Sequence, residues 1–109
     1  MLAGLRHLEQ PNQPDPVAEL IGLFVEDGDQ RLNKMEVALK ENDLPAIGPL
    51  AHGLKGSASN LGARPLATLA ARLEDAASSG KLPAVKELLT QLKEEYKRVR
   101  VELEKQINR

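Results

Sequence analysis

The chain has 109 residues, which favours one domain with a modest core and is too short for a catalytic domain joined to a nucleotide-binding domain. Its 15 basic and 16 acidic side chains give a net charge of -1, so no overall field would attract nucleic acid or an anionic membrane. The sequence contains no cysteine, which excludes disulfides and thiolate metal sites and agrees with a reducing compartment.

Hydropathy and aromatic content exclude two further classes of protein. No apolar run approaches the roughly 18 residues of a membrane span, and the N-terminus lacks the uninterrupted apolar segment of a signal peptide. We therefore predict a cytoplasmic protein without membrane insertion. The aromatic residues of the chain are Phe24 and Tyr96, too few for a surface that stacks on nucleic-acid bases.

Helical periodicity begins near the N-terminus, and no segment alternates in the manner of a strand. We assign residues 1–14 to an N-terminal segment, a short capping helix or tail followed by a proline-containing linker. Asp15 and Pro16 are typical of an N-cap followed by the first helical residue. The first helix should end near residues 41–42, with Gly28 as a candidate kink. Its predicted buried stripe consists of Val17, Leu20, Ile21, Phe24, Leu32, Met35 and Leu39.

The second and third predicted helices are joined by only a few residues. Asp43 can cap the second helix, and Gly62 is a plausible left-handed residue at its end. Pro65 opens the third helix, which closes at residues 79–80. Such a short connection predicts an antiparallel pair. The apolar residues expected on the third helix are Leu66, Leu69, Ala70, Leu73 and Ala77.

The last predicted helix runs from about Pro83 to Ile107, with apolar residues at four-three spacing. They are Val85, Leu89, Leu92, Tyr96, Val99 and Leu103. None of the four helices can bury its stripe alone, so we predict an all-α protein. Its expected architecture is an antiparallel up-down four-helix bundle occupying residues 15–109.

One histidine, His52, lies on the outer face of the second helix. At about 100° per residue it falls almost opposite the apolar stripe of that helix. That stripe consists of Leu44, Ile47, Leu50, Ala51, Leu54, Ala58 and Leu61. A buried core has no use for an imidazole there, so His52 is the leading candidate for a functional residue.

Glycines surround His52 on this outer face. Gly48, Gly53 and Gly56 each cost the helix about 1 kcal/mol relative to alanine. We interpret the glycines as giving a partner access to His52, because a helix surface without side chains lets another protein approach the imidazole closely. The predicted partner-binding residues are Gly48, Pro49, Gly53, Gly56, Ser59 and Asn60, and partner choice is assigned to side chains such as Pro49, Asn60 and Arg64.

The chemistry of this face favours transfer of a small anionic group. A neutral imidazole is nucleophilic, and its unperturbed pKa is about 6.5. Glu74, at the edge of the third helix's apolar face, is the candidate acceptor for the inner ring N–H of His52. Lys55, one turn after His52, could balance a phosphoryl charge, and Ser59 could donate a hydrogen bond to its oxygens. The sequence offers no metal site beyond isolated carboxylates.

The segment His52-x-Leu54-Lys55-Gly56-Ser57-x-x-x-Leu61-Gly62 is similar to the signature of histidine-containing phosphotransfer (Hpt) domains, which relay phosphoryl groups between response-regulator receiver domains. The resemblance covers roughly residues 15 to 105 and includes Phe24-x-Glu26-Asp27. It implies that His52 is the phosphoacceptor, Lys55 the phosphate-side cation and Gly56 a clearance position. Glu74 stands 22 residues after His52, where the family commonly has Gln or Glu bonded to the inner ring nitrogen. Ser57 replaces the glycine more frequent in chemotaxis kinases, which favours a phosphorelay module.

The resemblance also implies the partners, namely receiver domains and a histidine or hybrid kinase, with no nucleic acid. The module itself would need no cofactor, since Mg²⁺ would come with the receiver. It lacks a nucleotide-binding signature, so we predict a phosphotransfer intermediate and not an enzyme or autokinase. Whether the chain is freestanding or part of a hybrid kinase stays open, as do the cognate receivers and the direction of flow.

Two alternatives remain at the level of sequence. The glycine-lined face of the second helix would also suit a noncatalytic module that docks a receiver or another helical partner. The last helix could instead form a dimer seam, although a small single bundle predicts a monomer.

Overall fold

The computed structural model describes residues 15–107, which form four α-helices and contain no strand. The helices are α1 (Pro16–Lys40), α2 (Leu44–Asn60), α3 (Arg64–Ser78) and α4 (Leu82–Ile107). The predicted fold class, an antiparallel four-helix bundle, is confirmed. The predicted N-terminal segment 1–14 and the last two residues of the predicted domain lie outside the described residues.

The helix ends follow the predicted start and stop signals, with one exception. The side chain of Asp15 caps α1 by accepting a hydrogen bond from the Val17 N–H at 2.9 Å. Gly62 has a φ of +76°, the left-handed conformation predicted after α2. Asp43 occupies the N-cap position of α2, but its side chain makes no capping hydrogen bond, so the prediction of a side-chain cap was wrong.

The buried residues of each helix lie on the face that its periodicity predicts. Met35, Leu54 and Leu92 illustrate this, since each is fully buried in a cluster that joins all four helices. Leu20 is an exception at 56% exposure. The next residue, Ile21, is only 3% exposed, so α1 is covered on one side at this level and open on the side of Leu20.

Each helix packs against its neighbours in sequence, and α1 also packs against α4. The most extensive contact is between α2 and α3, which brings the outer edges of these two helices together along one seam. Within the described chain, no helix has the length and apolar character needed to span a membrane.

The α1–α4 contact depends on a glycine. The Tyr96 ring of α4 lies against Gly28 of α1, and a Cβ at position 28 would overlap the ring. The phenolic oxygen of Tyr96 lies 2.9 Å from both the Val25 carbonyl oxygen and the Asp29 carboxylate, either of which can accept its proton. The α-helix continues unbroken through Gly28, so this residue provides clearance for Tyr96 within a continuous helix.

Candidate functional site

The site is built on α2, a helix whose sequence is poor in helix-forming residues. It contains Pro49 in its interior as well as three glycines, and each of these weakens an isolated helix. Packing compensates, because one face of α2 is completely buried between its neighbours. That face consists of Ile47, Ala51, Leu54 and Ala58, all with 0% exposure. The buried stripe fixes the rotation of α2, so His52 must point outward.

His52 is exposed and bonded to one residue across the α2–α3 seam. Its side chain is 65% exposed, and its Nδ1 lies 3.1 Å from Oε2 and 3.3 Å from Oε1 of Glu74. An ionised carboxylate can only accept hydrogen bonds, so this contact places the proton on Nδ1 when the imidazole is neutral. Nε2 then carries the free lone pair. The predicted proximity of Glu74 to His52 is present in the structure.

Glu74 also binds Lys55. The Lys55 ammonium donates to Oε1 of Glu74 at 3.2 Å, so one carboxylate serves both the imidazole and the ammonium. The hydrogen bond from Lys55 lowers the pKa of the Glu74 carboxyl below its ordinary value of 4.5, and the contact with His52 acts in the same direction against partial desolvation. Glu74 is therefore ionised at neutral pH. Lys55, predicted to face a phosphoryl group, is here held beside His52 by this ion pair.

The three glycines of α2 differ in their surroundings. A Cβ at Gly48 or Gly56 would meet no atom within 4 Å, which agrees with the predicted clearance at these two positions. A Cβ at Gly53 would overlap the guanidinium group of Arg31, which comes from α1. The backbone at Gly53 is therefore less open than at Gly48 and Gly56, and the partner-binding role of Gly53 stays a prediction.

The other predicted partner-binding residues lie on the outer surface of α2. Pro49, Ser59 and Asn60 are exposed. Ser59 is two helical turns beyond His52, about 10 Å along the axis, which is far for a short hydroxyl side chain to reach a group on the imidazole. Ser57 is half-buried and donates to the Gly53 carbonyl oxygen at 3.2 Å. The Ser57 hydroxyl is therefore used for a hydrogen bond within α2.

Arg31 was not singled out from the sequence, and its pairing with Asp27 was not predicted. Arg31 Nε donates to the Asp27 carboxylate at 2.8 Å, an i,i+4 pair along α1. Its Nη1 also reaches the Leu50 carbonyl oxygen of α2 at 3.5 Å. The i,i+4 spacing of Asp27 and Arg31 in the sequence indicates this ion pair. Nothing in the sequence, however, placed this pair next to Gly53.

Comparison with known proteins decides the family. The family model described as "Hpt domain" matches residues 19–102, most of the chain and all of the site. The chain belongs to the Hpt domain family. This Hpt chain is 30% identical over 102 residues to histidine-containing phosphotransfer protein 1 of Arabidopsis thaliana, a match that covers 92% of this chain and 66% of that protein. It is also 30% identical over 107 residues to protein 2 of the same plant, covering 95% and 69%. The chain thus spans about two thirds of the length of these relatives.

Solved structures agree with this membership. The Hpt chain resembles the crystal structure of histidine-containing phosphotransfer protein B from Pseudomonas aeruginosa PAO1 with a TM-score of 0.79 at 33% identity, covering 96% of this chain and 88% of that one. It resembles the maize protein ZmHP2 with a TM-score of 0.74 at 23% identity, covering 97% and 83%. The maize structure supports the fold alone.

The predicted family is confirmed, and with it a phosphotransfer function in phosphorelays. Hpt phosphotransfer proteins are relay intermediates that work with kinases and response regulators, and they are not enzymes in the ordinary sense.

Proposed function

We propose that this Hpt domain accepts a phosphoryl group on Nε2 of His52 from the phosphoaspartate of a receiver domain and passes it to another response regulator. The observation that carries the proposal is the exposed imidazole whose Nδ1 is bonded to Glu74, because this contact leaves Nε2 as the nucleophile. His52 is the nucleophile, Glu74 orients it, and Lys55 supplies positive charge beside it.

In the transfer step, the Nε2 lone pair of His52 forms a bond to phosphorus while the bond from phosphorus to the aspartyl oxygen breaks. The electron pair of that bond leaves with the partner's carboxylate. The His52 ring keeps the Nδ1 proton and becomes positively charged as Nε2 bonds, and the Glu74 carboxylate stabilises that charge. The second transfer, to another receiver, is the same step in reverse.

Lys55 has a second hydrogen-bonding option in this scheme. Its ammonium has three donors, and the structure shows one of them on Glu74. Placed one turn after His52, the ammonium can turn a remaining donor toward a phosphoryl oxygen without leaving the carboxylate. This arrangement favours the phosphorylated form because a charge-assisted hydrogen bond is stronger than a neutral one.

The outer face of α2 is proposed as the docking surface for the receiver. Gly48 and Gly56 leave open space on either side of His52. The exposed side chains of Pro49 and Asn60 are available for contact with a partner. Ser59 belongs to this docking surface and not to the phosphoryl-binding groups. The chain itself needs no cofactor in this scheme, and the receiver contributes its own Mg²⁺. Absence of autophosphorylation from ATP, a monomeric state and a cytoplasmic location remain predictions.

The test is transfer from a receiver domain carrying labelled phosphoaspartate. Wild-type protein should gain acid-labile, alkali-stable label, as expected for phosphohistidine, and His52→Ala should gain none. His7→Ala is the matched control, since the chain contains two histidines, and it should be labelled like wild type. Label that persists in His52→Ala would defeat the assignment. Binding of the receiver without any label on the protein would favour the noncatalytic docking module.

A further inference from the structure

A second cation lies against Gly53, the residue next to the proposed phosphoacceptor, on the side of α2 away from Lys55. Around the α2 axis, Gly53 is about 100° from His52 in one direction and Lys55 about 60° in the other. The Arg31 guanidinium lies against Gly53, close enough that a Cβ there would overlap it. The face of α2 that carries His52 thus has an ammonium from the same helix on one side and, at Gly53, a guanidinium from α1 on the other.

Arg31 is held in place while most of its hydrogen-bonding capacity remains unused. A guanidinium has five N–H donors. In the described part of the chain, Nε is committed to Asp27 at 2.8 Å and Nη1 makes a long contact of 3.5 Å with the Leu50 carbonyl oxygen. The side chain is 29% exposed, so solvent and a docked protein can reach it.

We propose that Arg31 is a positioning residue for the receiver, which binds an acidic group of the incoming phosphoaspartate site and orients that site over His52. The inference rests on the proposed function. A guanidinium is suited to this role because its planar fork binds carboxylate and phosphate oxygens with two parallel hydrogen bonds. Asp27 restricts the side chain before the partner arrives, which lowers the entropy lost on binding.

The same geometry gives a specific reason for glycine at position 53. The atoms that a Cβ would overlap are Nη1, Cζ and Nη2 of Arg31, the far end of a flexible side chain. Gly53→Ala should therefore move the guanidinium away from α2 without damaging the core. It should also favour the helix, since alanine is the better helix former. Gly53→Ala is thus a way to displace Arg31 while leaving the arginine in the protein.

The experiment measures the rate of phosphoryl transfer from a phosphorylated receiver domain as a function of receiver concentration and salt. Arg31→Ala should lower the second-order rate constant about tenfold at low ionic strength, with a smaller deficit at high salt, and should leave the saturating rate near that of wild type. Arg31→Lys keeps the charge but loses the planar fork, so its rate should lie between those of Arg31→Ala and wild type.

The matched controls are Arg98→Ala and Gly22→Ala. Arg98→Ala removes one charge from an exposed ion pair on α4, a helix that packs against α1 and α3, and its rate should equal that of wild type. Gly22→Ala replaces an exposed glycine of α1 with open space around it, so it reports the gain in helix propensity alone. Urea unfolding of every variant shows whether a loss of rate reflects a loss of structure.

A double mutant separates the two roles of Gly53. If the glycine serves Arg31, Gly53→Ala should slow transfer about as much as Arg31→Ala, and the double variant should be no slower than either single one. If the losses multiply, Gly53 serves the partner directly and this part of the inference fails. A rate for Arg31→Ala equal to that of Arg98→Ala, a loss confined to the saturating rate, or no recovery in Arg31→Lys would each overturn the positioning role. Failure of wild type to take up label would instead reject the proposed function, and the inference with it.

Discussion

Replacement of Glu74 tests how the imidazole is prepared for attack. Glu74→Ala removes the acceptor 3.1 Å from Nδ1 of His52 and the partner of the Lys55 ammonium in one change. The neutral ring is then free to carry its proton on either nitrogen and to rotate. Glu74→Gln keeps one oxygen that can accept from Nδ1–H but loses the negative charge. We expect transfer to be slowed strongly in the alanine variant and only moderately in the glutamine variant.

The size of the effect follows from the exposure of the pair. Loss of the partner that orients a metal-bound histidine costs about 10- to 100-fold in activity, and we take this range as the scale for His52. His52 is 65% exposed and Glu74 28% exposed, so water replaces part of the lost interaction. The expected loss therefore lies at the lower end, about tenfold for Glu74→Ala. For Glu74→Gln we expect about threefold, because the tautomer is still favoured while the charge on the phosphorylated ring is no longer balanced.

The assay is rapid-mixing transfer from a phosphorylated receiver at saturating concentration, combined with ¹⁵N chemical shifts of the His52 ring in the unphosphorylated protein. The shifts report the tautomer directly. Wild type should show the Nδ1–H form, and Glu74→Ala should lose that preference in parallel with the rate. If Glu74→Ala transfers as fast as wild type, or if the tautomer changes while the rate does not, the orienting role of Glu74 is refuted. Circular dichroism of both variants should match wild type, since neither change touches the core.

Three further predictions concern charge and packing. The lowered pKa of Glu74 means that its ion pairs stabilise the fold above the ordinary carboxyl value of 4.5, and this contribution is lost as pH falls through the lowered pKa. The difference in urea midpoint between wild type and Glu74→Gln should therefore shrink from pH 6 to pH 3. A constant difference would contradict the coupling. Lys55→Ala should slow transfer several-fold with unchanged helicity, and an unaltered rate would remove Lys55 from the mechanism. Gly28→Ala should lower the free energy of unfolding in urea by about 1–2 kcal/mol, because overpacking against the buried Tyr96 ring outweighs the better helix propensity of alanine. A variant more stable than wild type would contradict this packing.

Sequence periodicity was sufficient to predict the four helices and the face that each one buries. The reason is that an apolar stripe must be covered, so its direction is fixed as soon as the partner helices exist. His52 was located by the same argument, because α2 has a single buried face and the imidazole lies opposite it. Glu74 could also be predicted, since the short connection between α2 and α3 forces them to pack as an antiparallel pair and sets which residues meet across the seam.

What the sequence did not reveal depends on contacts between side chains from separate helices. Gly53 looked like its neighbours Gly48 and Gly56, and only the register of α1 against α2 shows that Arg31 covers it. In the same way, the sequence predicted that Lys55 balances a phosphoryl charge, and it did not predict the hydrogen bond from the Lys55 ammonium to Glu74. Helical periodicity fixes directions around one axis, but it does not fix the relative height of two helices or the rotamers of long side chains.

Under the proposed function, the two ion pairs near His52 account for how one site could both accept and release a phosphoryl group. Lys55 with Glu74, and Arg31 with Asp27, leave the site without a large excess of either charge before a partner arrives. All four side chains are partly exposed, and such pairs exchange partners at little cost. A phosphoryl group on His52 would therefore gain a hydrogen bond from the Lys55 ammonium, which keeps its contact with Glu74, while Arg31 would bind the docked receiver. Loss of the phosphoryl group would leave both ion pairs as the structure shows them. Because neither state is strongly favoured by a buried charge, the receiver that docks can determine the direction of transfer.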